Sequence, residues 1–155
     1  DTVRSVLSWT LEVDLENLTL LGSAAVDGTG NAIGNVLTGN AGANVLSGFG
    51  GVDQLLGGGG NDRLDGGDDS DALSGGAGND LFMLNVGEVD GDRILDFFGN
   101  GVSLGDSLLF QGFGDAAFLT NSGDQWTVHY DDGASDETFQ MVGVTSLSTG
   151  DYLFT

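Results

Sequence analysis

The chain has 155 residues with 29 Gly, no Pro and no Cys, and sets three Arg and no Lys against 24 Asp plus Glu, a formal charge of −21. That charge repels nucleic acid and anionic membranes, and the missing cysteines exclude a disulfide scaffold, a zinc–thiolate site and a thiol nucleophile. No run of about 18 apolar residues is present, so no transmembrane helix is expected, and the self-repulsion of a compact fold calls for a cation, for which carboxylates suit a hard divalent metal.

Residues 1–29 come first. They start at Asp1-Thr2-Val3 with neither an initiator Met nor a signal-peptide pattern, which reads as part of a longer protein. Trp9, Leu11, Val13, Leu15, Leu18 and Leu20 mostly alternate with polar residues, which predicts an N-terminal pair of strands blending into the first coil of the repeats.

From residue 30 to 83 one period governs the chain. Leu37, Leu46, Leu55, Leu64, Leu73 and Phe82 are nine residues apart, as are Asn35, Asn44, Asp53, Asp62, Asp71 and Asp80, and Gly30, Gly39, Gly48, Gly57, Gly66 and Gly75. The most regular units, Gly57 to Asp65 and Gly75 to Met83, follow Gly-Gly-x-Gly-x-Asp-x-apolar-x, a calcium-binding nonapeptide. A strict period overturns the disorder that so much Gly otherwise signals. Each unit reads as a three-residue strand with its central side chain inward, joined to a six-residue turn. Two units make a coil of eighteen residues, and coils stack in parallel at about 4.8 Å. The leucine column is then a thin core, too small to hold the fold alone. Positions one, two and four of the turn call for positive φ or close backbone approach, and position six supplies a carboxylate. An ion between turns eighteen residues apart ties neighbouring coils together through carbonyls and carboxylates, about six oxygens in all, as Ca²⁺ takes.

Residues 84–155 lose the period. Short apolar runs at 93–98, 107–110, 126–130, 138–142 and 152–154, separated by Gly, Asn and Asp, predict an all-β segment. It is expected to cap the open end of the stack, where an unpaired edge and the leucine core are otherwise exposed.

The segment from Gly30 to Met83 resembles the RTX (repeats-in-toxin) family of bacterial secreted proteins. The fold implied is all-β, a right-handed parallel β-roll with a C-terminal β cap. The resemblance implies that each ion takes the carbonyls of positions one and three and the acid of one turn, with the carbonyls of positions two and four and the acid of the next turn on that side. This pairs Gly48, Gly50 and Asp53 with Gly67, Asp69 and Asp71; Gly57, Gly59 and Asp62 with Gly76, Gly78 and Asp80; and Gly39, Ala41 and Asn44 with Gly58, Gly60 and Asp62. Gly51, Gly66 and Gly75 complete the candidate turns, and Asp90, Asp92 and Asp96 are candidates for a last site near the cap. Asn35 and Asn44 replace Asp, so the first coil's sites are expected to be weaker or empty. Ile33, Asn40, Phe49 and Asp69 stand where the pattern has Gly. Asp92 to Phe97 is similar to the D-x-I-x-D-F element after the last repeat of many RTX proteins, and Asp151 to Phe154 to the acidic-then-apolar ending of type I secretion substrates.

The resemblance implies a secreted, monomeric, non-enzymatic module that binds several calcium ions, folds outside the cell and supports export by a type I secretion apparatus. The competing reading is an accessory or recognition module of a secreted protease, lipase or alginate epimerase, or of a large adhesin. Gly101 to Gly105 matches G-x-S-x-G, but a strand rather than a helix is predicted after it, so a nucleophile elbow is not expected. His129, the only histidine, falls in an alternating strand. The glycine turns lack the Lys of a phosphate loop, and Asp68 to Asp71 lacks EF-hand spacing.

Overall fold

The computed structural model describes residues 1–99, 105–114, 116–130 and 136–155, and among these there is no helix. Among the described residues sixteen strands form two sheets. The repeats supply β5 (Val36–Thr38), β6 (Val45–Phe49), β7 (Gln54–Gly59), β8 (Arg63–Gly67), β9 (Ala72–Ala77) and β10 (Leu81–Asn85), which alternate between the sheets. Every pairing among them is parallel and eighteen residues apart: Leu37 lies beside Leu55 and Leu55 beside Leu73, while Leu46, Leu64 and Phe82 line up in the other sheet. The coil of two nonapeptides is therefore the repeating unit of the solenoid.

The column of central strand residues forms the core. Leu37, Leu46, Leu55, Leu64, Leu73 and Phe82 are all completely buried, each worth about 2 kcal/mol of apolar burial. The core continues at both ends. On the amino side, β1 (Thr2–Ser5) and β3 (Asn17–Leu20) extend one sheet, and β2 (Trp9–Thr10) and β4 (Gly28–Thr29) extend the other, all in parallel. Two short strands are thus present on each side where the alternating leucines suggest one pair. Alternation is only partly expressed, with Leu11, Leu18 and Leu20 buried but Val13 76% exposed.

On the carboxyl side the nonapeptide is lost while the stacking persists. β11 (Arg93–Ile94) continues from β9 and β12 (Ser107–Gln111) from β10, so Ile94 sits beside Leu73 and Leu108 beside Phe82. β15 (Glu137–Met141) and β16 (Tyr152–Phe154) each add one more parallel strand. Then the order breaks: β14 (Gln125–His129) runs antiparallel to β15, and β13 (Phe118–Ser122) antiparallel to β14. Phe110 packs on Phe113, Phe139 and Phe154, with ring centroids 5.7, 5.8 and 4.8 Å away, and closes the leucine core with aromatic bulk. Each of the five short apolar runs contains a strand; β13 is an additional one.

Candidate metal centre

Position six is the last residue of each turn, just before the strand turns its central leucine inward. The same change of direction buries the position-six side chain, so Asn35, Asn44, Asp53, Asp62, Asp71 and Asp80 are all at most 2% exposed. One carboxylate oxygen has a defined task. Asp53 Oδ1 accepts the backbone N–H of Asn35 at 2.7 Å, Asp71 Oδ1 that of Asp53 at 2.8 Å, and Asp92 Oδ1 that of Asp71 at 2.9 Å. On the other side Asp62, Asp80 and Asp106 accept from Asn44, Asp62 and Asp80 at 2.8, 2.8 and 2.9 Å. Each acid thereby links two coils.

The second oxygen has none. Oδ2 of Asp53, Asp62, Asp71 and Asp80 is buried and makes no hydrogen bond. A buried anion without a partner is costly, and burial lifts these acids: Asp53 and Asp62 to about 6 and Asp71 to about 7 from 3.8, with Asp80 also raised. The same cause raises Asp92 to about 8. Four equivalent oxygens need either a proton or a cation to offset their burial.

Backbone oxygens converge on the same points. A methyl group on Gly48 would strike both Asp53 Oδ2 and the Gly66 carbonyl; on Gly57 it would strike Asp62 Oδ2 and the Gly75 carbonyl. Position one is glycine because those oxygens occupy the space. Positions two and four take positive φ in the four later turns, as at Gly58 (101°) and Gly60 (104°), and even the substitutes Phe49 (83°) and Asp69 (75°) comply. Among the described residues no three acidic, histidine or cysteine side chains are placed to hold a metal ion by themselves. The donor set is instead one carboxylate per turn with carbonyls, an oxygen-only set suited to Ca²⁺.

The acids near the cap go to three different places. Asp92 extends the ladder of Asp53 and Asp71. Asp96 accepts the N–H groups of Gly75 and Gly76, both at 2.9 Å, and the Ser74 hydroxyl at 2.7 Å. Asp90 Oδ1 accepts the Thr138 N–H at 2.6 Å. Asp106, which the repeat pattern does not single out, holds the rung opposite Asp92. Its signal is the triplet Asp106-Ser107-Leu108, which repeats Asp80-Leu81-Phe82 after an insertion breaks the period. Glu137 is a further buried acid that no sequence pattern marks. It accepts the Gly87 N–H at 2.7 Å and the Tyr130 hydroxyl, tying the antiparallel hairpin to the turn before β11.

Residues 101–104 of the G-x-S-x-G stretch lie outside the described residues. His129 stacks on Phe118, its partner across the hairpin, and reaches Thr120 Oγ1 at 2.7 Å and Asp136 Oδ2 at 2.9 Å.

The family profile of the RTX calcium-binding nonapeptide repeat, four copies long, matches residues 29–64 and again 47–82. No curated protein matches the chain. Among solved structures, the chain is similar to the solution structure of the AlgE6R3 subunit from the Azotobacter vinelandii mannuronan C5-epimerase. Identity is 27% and the TM-score 0.56, over 79% of this chain and 78% of the other. The repeats read from the sequence and the parallel stacking agree with these likenesses, and residues 29–82 are RTX calcium-binding nonapeptide repeats wound into a β-roll.

Proposed function

We propose that the chain is a calcium-triggered folding module of a secreted protein. The observation that carries this reading is the set of four buried, unpartnered Oδ2 atoms, each crowded against a position-one glycine. In a calcium-poor compartment these anions oppose the fold and the chain stays open. Where calcium is plentiful, binding energy becomes folding energy, because the sites exist only once coils stack. Folding of the emerging chain then opposes its return, which would support export by a type I system. The test is a calcium titration of the metal-stripped chain followed by far-UV circular dichroism. A cooperative gain of β signal is expected, and a stripped chain that already has the loaded spectrum would falsify the coupling.

A second reading, an accessory module of a larger enzyme, is favoured by the likeness to a subunit of an epimerase. A cleft of about 350 Å³ on the outer face of β6, β8 and β10 is lined by Ser47, Phe49, Asp65, Gly67, Asp68, Asn85 and Glu88. Its three carboxylates repel a polyuronate unless a cation bridges them. Titration of oligouronates with and without added calcium separates the readings: uptake only with calcium supports the accessory role, and none in either condition removes it.

A further inference from the structure

The first coil is built differently from those after it. In both of its turns an Asn at position two accompanies the Asn at position six: Asn31 with Asn35, and Asn40 with Asn44. Wherever position six is Asp, position two is Gly or Phe, at Phe49, Gly58, Gly67 and Gly76. The backbone follows the same division. None of Asn31, Ile33, Asn40 and Gly42 has positive φ, whereas both equivalent positions of every Asp-bearing turn do.

The amides of these turns are fully engaged. Asn31 Nδ2 donates to the carbonyls of Glu12 (2.6 Å) and Leu15 (2.8 Å), while its Oδ1 accepts the N–H of Ile33 and an N–H of the Asn35 amide. Asn40 Nδ2 donates to the carbonyls of Leu21 (3.3 Å) and Ala24 (3.0 Å), and its Oδ1 accepts the N–H of Gly42 and an N–H of the Asn44 amide. The position-six amides complete each set. Asn35 Oδ1 accepts the Asn31 N–H and its Nδ2 donates to Leu15 O; Asn44 Oδ1 accepts the Asn40 N–H and its Nδ2 donates to Val26 O. No orphaned oxygen is left at Asn35 or Asn44, although both are as buried as the aspartates.

We infer that Asn31 and Asn40, each with its position-six partner, are built-in substitutes for the ion: the turns at 30–35 and 39–44 take up no calcium, and the calcium-responsive part of the roll starts at Gly48. An amide NH₂ does for carbonyl oxygens what a cation does, offering positive charge to lone pairs that burial would leave unmatched. It needs no metal and carries no net charge. The roll therefore joins a stretch with fixed internal cross-links to one whose cross-links come and go with calcium. This rests on the proposed calcium binding and assigns where its sites begin.

The experiment counts bound calcium by equilibrium dialysis of the full chain. Asn44→Ala is expected to bind as many ions as the unmodified chain while melting at a lower temperature in saturating calcium. The double variant Asn40→Gly/Asn44→Asp restores the Gly and Asp of the later turns and is expected to bind one ion more. Loss of an ion in Asn44→Ala, or no gain in a double variant that folds by circular dichroism, overturns the inference. If Asn44→Ala does not fold, the double variant decides alone. An unmodified chain that binds no calcium sinks the folding proposal instead, and the gain in the double variant still decides this one.

Discussion

Stripping calcium at neutral pH should unfold the roll, and acid should restore it. The perturbation acts on the buried acids of position six. Asp53 and Asp62 rise from 3.8 to about 6 on folding, about two units each, and each unit is worth about 1.4 kcal/mol. Both residues are only 2% exposed, although water beyond the turns screens part of this. The ion-free fold therefore loses up to roughly 3 kcal/mol at each of the two acids once both are charged, before Asp71 at about 7 and Asp92 at about 8 are added. A domain of this size has a net stability of only about 5–15 kcal/mol. The sign comes from the direction of the shifts. A carboxylate raised by folding binds its proton more tightly in the native state, so its contribution is intact below 3.8 and is lost as pH climbs through about 6 to 8. Protons and calcium are thus alternative ways to neutralise one set of oxygens. The assay is far-UV circular dichroism of the metal-stripped chain at about pH 7.5 and about pH 4, each with and without calcium. We expect the β signal to be absent only from the stripped sample at the higher pH. A stripped chain that folds equally well at both values, or better at the higher, would refute the reasoning.

The same geometry sets three further outcomes. Asp62→Ala removes both the oxygen that holds the Asn44 N–H and the orphaned Oδ2, and is expected to raise the calcium midpoint at least about tenfold, a charged contact being worth roughly 1.5–3 kcal/mol; a smaller effect than that of Asn44→Ala in the same titration would contradict the stacked sites. Gly57→Ala places a methyl against Asp62 Oδ2 and the Gly75 carbonyl and should raise the midpoint, whereas Gly50→Ala, at a position where Ala41 and Ala77 already occur, should leave it unchanged. Deleting residues 84–155 removes the Asp92 and Asp106 rungs and the β12 partner of β10, so the remainder should stay unfolded at calcium levels that fold the whole chain; an unchanged midpoint by circular dichroism would make the cap dispensable.

The repeats were legible because local and global demands coincide there. One residue per unit is the core, one is the acid, and glycine marks where atoms crowd, so the period shows directly. Beyond Met83 the coils continue, but insertions lengthen the step from eighteen residues to 21 between Leu73 and Ile94 and 26 between Phe82 and Leu108. Ile94 and Leu108 keep their places through pairing, which leaves no spacing to read. β13 is the least legible strand, since Phe118 to Ser122 has little buried surface and depends on its cross-strand partner β14. At the amino end Asn31 and Asn40 look like weakened repeats. Their role lies in carbonyls sixteen to nineteen residues earlier, which composition does not reveal.

The eighteen-residue register also limits how such a roll changes length. Strands alternate between the two sheets, so β9 and β11 lie in one and β10 and β12 in the other. Adding or deleting a single nonapeptide would deliver every later strand to the opposite wall. Leu108, Phe110 and the antiparallel hairpin would then meet the wrong neighbours, and the two carboxylate ladders would exchange their terminal rungs. A pair of nonapeptides leaves all of this intact, adding one layer of core and one acid to each ladder. Unit number in this architecture is thus tied to parity: viable insertions and losses come in twos.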